Sequence, residues 1–175
     1  MHMTEANQKL GANGSYTTSG VPQGFTSLTP FIVVNNPAGA IQFYQEVFNA
    51  TLLDATSFKD ESGEELIVHA ELDFGNGILQ LGGANPQYQL VLPPNGDAAC
   101  YSLCLYVENV DSVFNAAVAK GATVREPLAN FVSGDRYGSI VDPFGIRWSI
   151  MTRIEDLSPE ESRRRVAEWA KSFTG

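Results

Sequence analysis

Phe31-Ile32-Val33-Val34-Asn35-Asn36 opens the stretch that decides the fold. A helical pattern through Phe43 and Phe48 follows it, and then Asn49-Ala50-Thr51-Leu52. The same order returns about 72 residues later: Leu103-Cys104-Leu105-Tyr106-Val107-Glu108-Asn109, a helical pattern through Phe114 and Val118, and Gly121-Ala122-Thr123-Val124. Each copy reads as strand, polar turn, amphipathic helix, small-residue helix end and strand. A repeated unit that cannot bury its own apolar face must pack on its partner. Two such units make one domain, and the space they share is the natural place for a ligand.

Working outward, Ser27 to Val34 reads as a buried strand. Asn36 suits an N-cap with Pro37 at the first helical position. Ala40, Ile41, Tyr44, Val47 and Phe48 then recur at helical spacing. A strand over 51–56, a hairpin turn at Asp60-Glu61-Ser62-Gly63, an alternating strand over 65–74, a tight turn at Gly75-Asn76-Gly77 and a strand over 78–82 complete β-α-β-β-β. Residues 83–98, with Pro86, Pro93-Pro94 and Asn95-Gly96, form the linker between the units, and Asn85 to Gly96 within it is an alternative lid over the cavity. The second unit predicts a strand over 101–107, a helix over 110–120, a strand over 122–126, a long loop, a strand over 136–141, a turn at Asp142-Pro143-Phe144-Gly145 and a strand over 146–152. A last helix starts at Ser158, with Pro159 first and Glu161 third, a capping box. Val166, Trp169, Ala170 and Phe173 give it one apolar stripe, and Arg163-Arg164-Arg165 its solvated face. Residues 1–25 are polar, Gly-rich and aperiodic and are expected to be a flexible arm. The expected division is therefore an arm (1–25), a domain over 26–153 with units 26–83 and 99–153, and a C-terminal helix within 154–175.

Composition narrows the function classes. The chain has 175 residues, 43% of them apolar and 18% charged, enough for one domain with a sizeable core. A net charge of −9 argues against nucleic acid and against anionic membrane surfaces as partners. No apolar run approaches the ~20 residues a membrane span needs, and no signal pattern opens the chain, so a cytoplasmic location is expected. Cys100 and Cys104, spaced Cys-x3-Cys with no other Cys to complete a site, are weak evidence for a metal. On one strand they lie ~13 Å apart, too far for a disulfide, so they read as free thiols, with Cys104 taken as buried.

The paired β-α-β-β-β units, with Phe43-Tyr44, Gly121-Ala122-Thr123 and Asp142-Pro143-Phe144-Gly145, resemble the vicinal oxygen chelate superfamily. That superfamily holds glyoxalase I, bleomycin-resistance proteins and extradiol dioxygenases. The resemblance covers about residues 26–153. Leu28-Thr29-Pro30-Phe31, His69-Ala70-Glu71-Leu72, Gly134-Asp135-Arg136-Tyr137-Gly138 and Ile154-Glu155-Asp156-Leu157-Ser158-Pro159-Glu160 are similar to a small glyoxalase-like subgroup. The implied fold class is α+β: two tandem βαβββ units forming a curved mixed sheet around a cavity, plus a C-terminal helix. In metal-dependent members, four ligands come from the first and last strands of each unit, as His, Gln or Glu. The matching positions here are Thr29, Gln80, Ser102 and Ser149. Divalent transition metals want imidazole, carboxylate or thiolate, so neither a metal nor another cofactor is expected.

Strand alternation lists the cavity lining. If Thr29 points inward, so do Phe31 and Val33, while Ile32 and Val34 face the helix. Gln80 brings Ile78 and Gly82, Ser102 brings Cys104 and Tyr106, and Ser149 brings Arg147 and Met151. His69, Glu71 and Asp73 share the polar face of their strand. A pocket with apolar walls and a few polar points suits a small molecule. His69 and Glu71 are candidates for proton transfer; the alternatives are a displaced metal site and a structural pair. Arg136 would clamp a carboxylate or phosphate at the cavity mouth, or pair with Asp135. The Asp142 turn reads as structural.

Two functions follow. One is a metal-independent small-molecule binder with a sequestering or accessory role, for which bleomycin-resistance proteins are the family precedent. Its ligand-contacting residues would be Thr29, Phe31, Gln80, Ser102, Tyr106, Arg136, Arg147 and Ser149. The other is a lyase or isomerase using His69 and Glu71, with Arg136 or Arg147 holding an anionic group and a metal-dependent glyoxalase-like lyase as its variant; a structural or regulatory dimer with an empty cavity is a third reading. The resemblance implies a homodimer.

Overall fold

A computed structural model of the protein describes residues 10–96 and 98–173. Residues 1–9 of the expected arm lie outside the described residues. The next stretch carries a short hairpin, β1 (Thr17–Thr18) with β2 (Val21–Pro22). The first unit follows as β3 (Phe31–Val33), α1 (Pro37–Phe48), β4 (Thr51–Lys59), β5 (Glu65–Asp73) and β6 (Ile78–Gly82). The second is β7 (Leu103–Tyr106), α2 (Val110–Ala119), β8 (Thr123–Asn130), β9 (Asp135–Val141) and β10 (Arg147–Arg153), followed by α3 (Pro159–Lys171).

Each unit forms its own four-stranded sheet, in the orders β3-β6-β5-β4 and β7-β10-β9-β8. In both, the first strand pairs in parallel with the last and the remaining pairs are antiparallel. The fold is α+β, two tandem βαβββ units with a C-terminal helix. The sheets do not close into a barrel.

Both unit helices start by the same device. The Asn36 side-chain oxygen accepts the Gly39 N–H at 3.0 Å, and that of Asn109 accepts the Ser112 N–H at 3.0 Å. The third helix starts on Ser158, whose hydroxyl accepts the Glu161 N–H at 3.2 Å. The expected helix starts at Asn36 and Ser158 therefore hold.

Several strand bounds differ from expectation: β4 runs on to Lys59 rather than ending at 56, β7 begins at Leu103 rather than at 101, and two further differences have a visible cause. The strand expected from Ser27 begins only at Phe31. The Thr26 hydroxyl donates to the Leu28 carbonyl at 2.7 Å, the Thr29 hydroxyl donates to the Thr26 carbonyl at 3.1 Å, and Pro30 has no N–H to give. β8 runs on to Asn130 where a loop was expected. It absorbs Pro127 in a register shift between Glu126 and Ala129, one of the few places a sheet accepts proline.

Period-2 alternation separates the faces as the sequence implies. Ile32, Val34, Ala70, Leu72 and Leu81 are fully buried under α1, and Ile140 and Ile150 are buried on the corresponding face of the second sheet. The two cores merge at the seam, where Tyr44 and Phe48 of α1 pack on Trp148 of β10 at ring separations of 5.4 and 4.8 Å. One buried carboxylate ties the units together there. Asp142 accepts the Tyr44 hydroxyl at 2.7 Å, the Trp148 indole N–H at 2.9 Å and the backbone N–H groups of Phe144 and Ile146, each at 2.9 Å. The Asp142 turn thus makes its own bend and clasps the other unit. Burial pushes the Asp142 carboxyl above its ordinary value, and the Tyr44 and Trp148 hydrogen bonds pull it part of the way back.

Candidate functional site

The second face of each sheet is open. On the first unit it presents Phe31 and Val33 from β3, His69 and Glu71 from β5, and Gln80 from β6. Glu71 and Gln80 sit opposite each other in register, as do Phe31 and Gln80. The Gln80 amide donates to Glu71 Oε1 at 3.0 Å. The His69 ring stacks on Phe31 with centroids 6.0 Å apart and an interplanar angle of 29°. The structure therefore joins Glu71 to Gln80, and His69 to an aromatic ring, while the two share a face without a hydrogen bond between them.

On the second unit, Cys104 lies in register with Ser149 and Tyr106 with Met151. The hydroxyls of Ser102 and Ser149 are 3.2 Å apart and share a hydrogen bond. Tyr106 is half exposed, its hydroxyl against the Arg153 guanidinium. Arg147 reaches Ser139 Oγ at 3.4 Å and Glu126 Oε2 at 3.9 Å. Cys104 and Cys100 are free and exposed. The expectation of a buried Cys104 is corrected: β7 is an edge strand, and alternation turns this side chain to the open face, away from the helix-side core.

Arg136 requires a second correction. It lies on the helix side of β9, one residue out of phase with the open face. Its Nε and Nη2 grip both oxygens of Asp111 on α2 at 2.7 and 2.6 Å, and Nη1 donates to Asn130 at 3.0 Å. Fully committed to α2, it does not join the other candidates. Nor does it pair with Asp135, which instead holds Arg153 at 2.8 Å.

The four positions that carry metal ligands in metal-dependent relatives are occupied by committed neutral groups. Thr29 donates to the Thr26 carbonyl, Gln80 to Glu71, and Ser102 and Ser149 bond to each other. This donor set does not fit a transition metal. Among the described residues no three His, Cys, Asp or Glu side chains converge on one point.

Two cavities flank the seam between the sheets. One, of about 320 Å³, takes Leu28 and Pro30 before β3, Ile78 of β6, and Cys104 and Tyr106 of β7, with Phe74 and Trp148 at its back. The other, of about 200 Å³, brings Phe31 and Val33 of the first unit to Arg147 of the second. Residues 91–94 and 99–101 of the linker line it as well, so this linker is part of the site. Tyr101 stands in that wall, its phenol pushed up by partial burial and by the nearby Asp142. Of the candidates named from the sequence, Phe31, Tyr106 and Arg147 line these two cavities, while Thr29, His69, Glu71, Gln80, Ser102 and Ser149 lie outside both linings. Val91 to Pro94 lie within the stretch read as a linker or a lid, and their apolar side chains line the smaller cavity.

Comparison with known proteins agrees with this architecture. Residues 25–150 match the family model of the glyoxalase/bleomycin resistance protein/dioxygenase superfamily. An uncharacterized protein of Mycobacterium bovis is 31% identical over 138 residues, which is 77% of this chain and 88% of that one. A protein from Mycobacterium tuberculosis is likewise 31% identical over 138 residues, covering 77% of this chain and 79% of its own. Among solved structures, PA1353 from Pseudomonas aeruginosa superposes with a TM-score of 0.60 at 23% identity, over 73% of this chain and 98% of that one. TioX from Micromonospora sp. ML1 gives 0.53 at 22% identity, over 76% and 100%. These two show a shared fold. The repeat, the strand order and the family match together make this chain a member of the glyoxalase/bleomycin resistance protein/dioxygenase superfamily.

Proposed function

We propose that the protein is a metal-independent small-molecule binder of this superfamily, with a sequestering or accessory role, and that its ligand sits at the seam between the two open sheet faces. The observation that carries this reading is the donor set at Thr29, Gln80, Ser102 and Ser149, where three hydroxyls and an amide are already engaged with neighbours. Bleomycin-resistance proteins supply the family precedent for such a binder.

The deciding experiment is metal analysis of untagged protein by mass spectrometry, with thermal unfolding in added Ni, Zn, Mn and Fe(II). We expect well under one equivalent of metal and no rise in melting temperature. One equivalent with a clear rise would sink the reading and return His69 and Glu71 to the front as ligands.

The lyase or isomerase alternative needs His69 and Glu71 to work together. The tie of Glu71 to Gln80 and the stacking of His69 on Phe31 favour a binding wall instead. On that basis His69→Ala is expected to keep ligand affinity with no turnover to lose, whereas an enzyme would lose turnover and keep binding, read by calorimetry beside a product assay.

A homodimer belongs to the same proposal. β4 is exposed along its whole length and carries Leu52, Leu53 and Phe58 at a free sheet edge, which in a lone chain is a liability. No helix among the described residues is long and apolar enough to cross a membrane.

A further inference from the structure

Deepening that reading, on which it rests, we infer that the linker-roofed cavity takes a compact apolar monocarboxylate, with Arg147 as the group that receives the carboxylate. Three observations carry it.

The first is the composition of the wall. Phe31, Val33, Val91, Leu92, Pro93, Pro94, Tyr101 and Ile146 are apolar or aromatic, and Arg147 is the charged side chain among the described lining residues. An apolar chamber with one fixed charge selects a ligand of complementary charge and apolar body, because every other part of the ligand must shed water.

The second is the state of the guanidinium. Arg136, Arg153, Arg163, Arg164 and Arg165 each hold a carboxylate oxygen at 3.1 Å or closer. Arg147 does not: its carboxylate neighbour Glu126 stands at 3.9 Å, past hydrogen-bond reach, and its contact with Ser139 is at the outer limit at 3.4 Å. Its side chain is 30% exposed, so it is partly withdrawn from water while its forked donors lack the two-oxygen partner they match best.

The third is size. At about 200 Å³ the chamber lies below the ~300 Å³ at which drug-sized pockets begin, so its occupant is of single-ring or branched-chain dimensions. Phe31 and Tyr101 offer ring faces to such a body.

The test uses the full chain and three probes of one shape and different charge: benzoate, benzamide and benzylammonium, titrated by calorimetry at neutral pH and low salt. We expect benzoate to bind at least tenfold tighter than benzamide, and benzylammonium weakest. Arg147→Gln should bring benzoate down to the benzamide level while leaving benzamide unchanged, and Arg147→Lys should recover part of the loss. Phe31→Ala should weaken benzoate and benzamide alike. The wild-type ranking decides the question even if an Arg147 variant folds poorly. Equal binding of the three probes, or a preference for benzylammonium, overturns the carboxylate assignment and leaves the binding-site reading standing. No binding by any of the three overturns the assignment alone, since the binder reading falls on the metal analysis and not on this titration.

Discussion

Asp142 shows how much one residue can hold. It is 4% exposed, and its two oxygens serve two backbone amides of its own turn, a tyrosine 98 positions away and an indole. Asp142→Ala leaves all four donors without this acceptor. At about 1–3 kcal/mol for each buried unsatisfied group, partly relieved by relaxation, a loss of about 3–5 kcal/mol in urea unfolding is expected. Asp142→Asn keeps the shape and one acceptor, and should lose less. The pH dependence has a definite sign. Burial raises the folded-state pKa of Asp142 above its unfolded ~3.9, so the folded chain holds this proton more tightly. Stability from this group therefore falls as pH rises through that window. The stability gap between wild type and Asp142→Asn should widen as pH drops from 7 towards 4.5; a narrowing gap would mean that the four hydrogen bonds outweigh burial. The sequence marked this aspartate as a turn former. Its second role was not legible, because Tyr44 is distant in the chain and neighbouring only in the fold. The partner of Arg136 was partly legible: adjacent strand residues point to opposite faces, which alone forbids an Asp135–Arg136 pair within β9.

At the scale of elements, close approach and charge decide. β6 ends at Gly82, where a Cβ would stand 2.3 Å from the Val68 carbonyl oxygen and 3.1 Å from the Phe31 ring. Gly82→Ala must push strand backbones apart and move Phe31. A loss of about 1–3 kcal/mol is expected in urea unfolding, together with weaker ligand binding than wild type. The third helix lives by charge. Its described residues include none that is buried, and Glu161 is gripped by both Arg164 and Arg165, which hold its carboxyl at about 2. Because that value lies below the unfolded ~4.3, the benefit is present above the unfolded value and lost as pH falls towards 2. Glu161→Gln should therefore flatten the acid limb of α3 helicity, followed by circular dichroism. The capping box and arginine face of this helix were readable from the chain. Its docking was not, since it leans on Phe131, with rings 4.8 Å from Trp169, in a stretch read as loop.

For the whole molecule, the repeat was the legible feature, and it carried strand order and helix faces with it. What escaped was the Asp142 clasp between the units, and within the second unit the commitment of Arg136 to α2. Such contacts depend on docking geometry, which local periodicity does not encode. The exposed β4 edge sets a prediction at this scale. Sedimentation equilibrium should return about twice the 19.0 kDa chain mass, and Leu53→Lys with Phe58→Lys should return the single chain.

The parallel pairing of first and last strands has a kinetic consequence. Phe31 meets Gln80 and Leu103 meets Trp148, partners roughly 45 to 50 positions apart. Neither sheet can close until its final strand exists, so the search for the native pairing pays for a long loop before any contact rewards it. As the chain leaves the ribosome, the first unit has its full strand set while the second has barely begun. It must then wait, its seam-facing aromatics uncovered, for Trp148 and Asp142 to arrive. The slow step in folding is expected to be this late docking, and the interval before it is when the nascent chain most needs a chaperone.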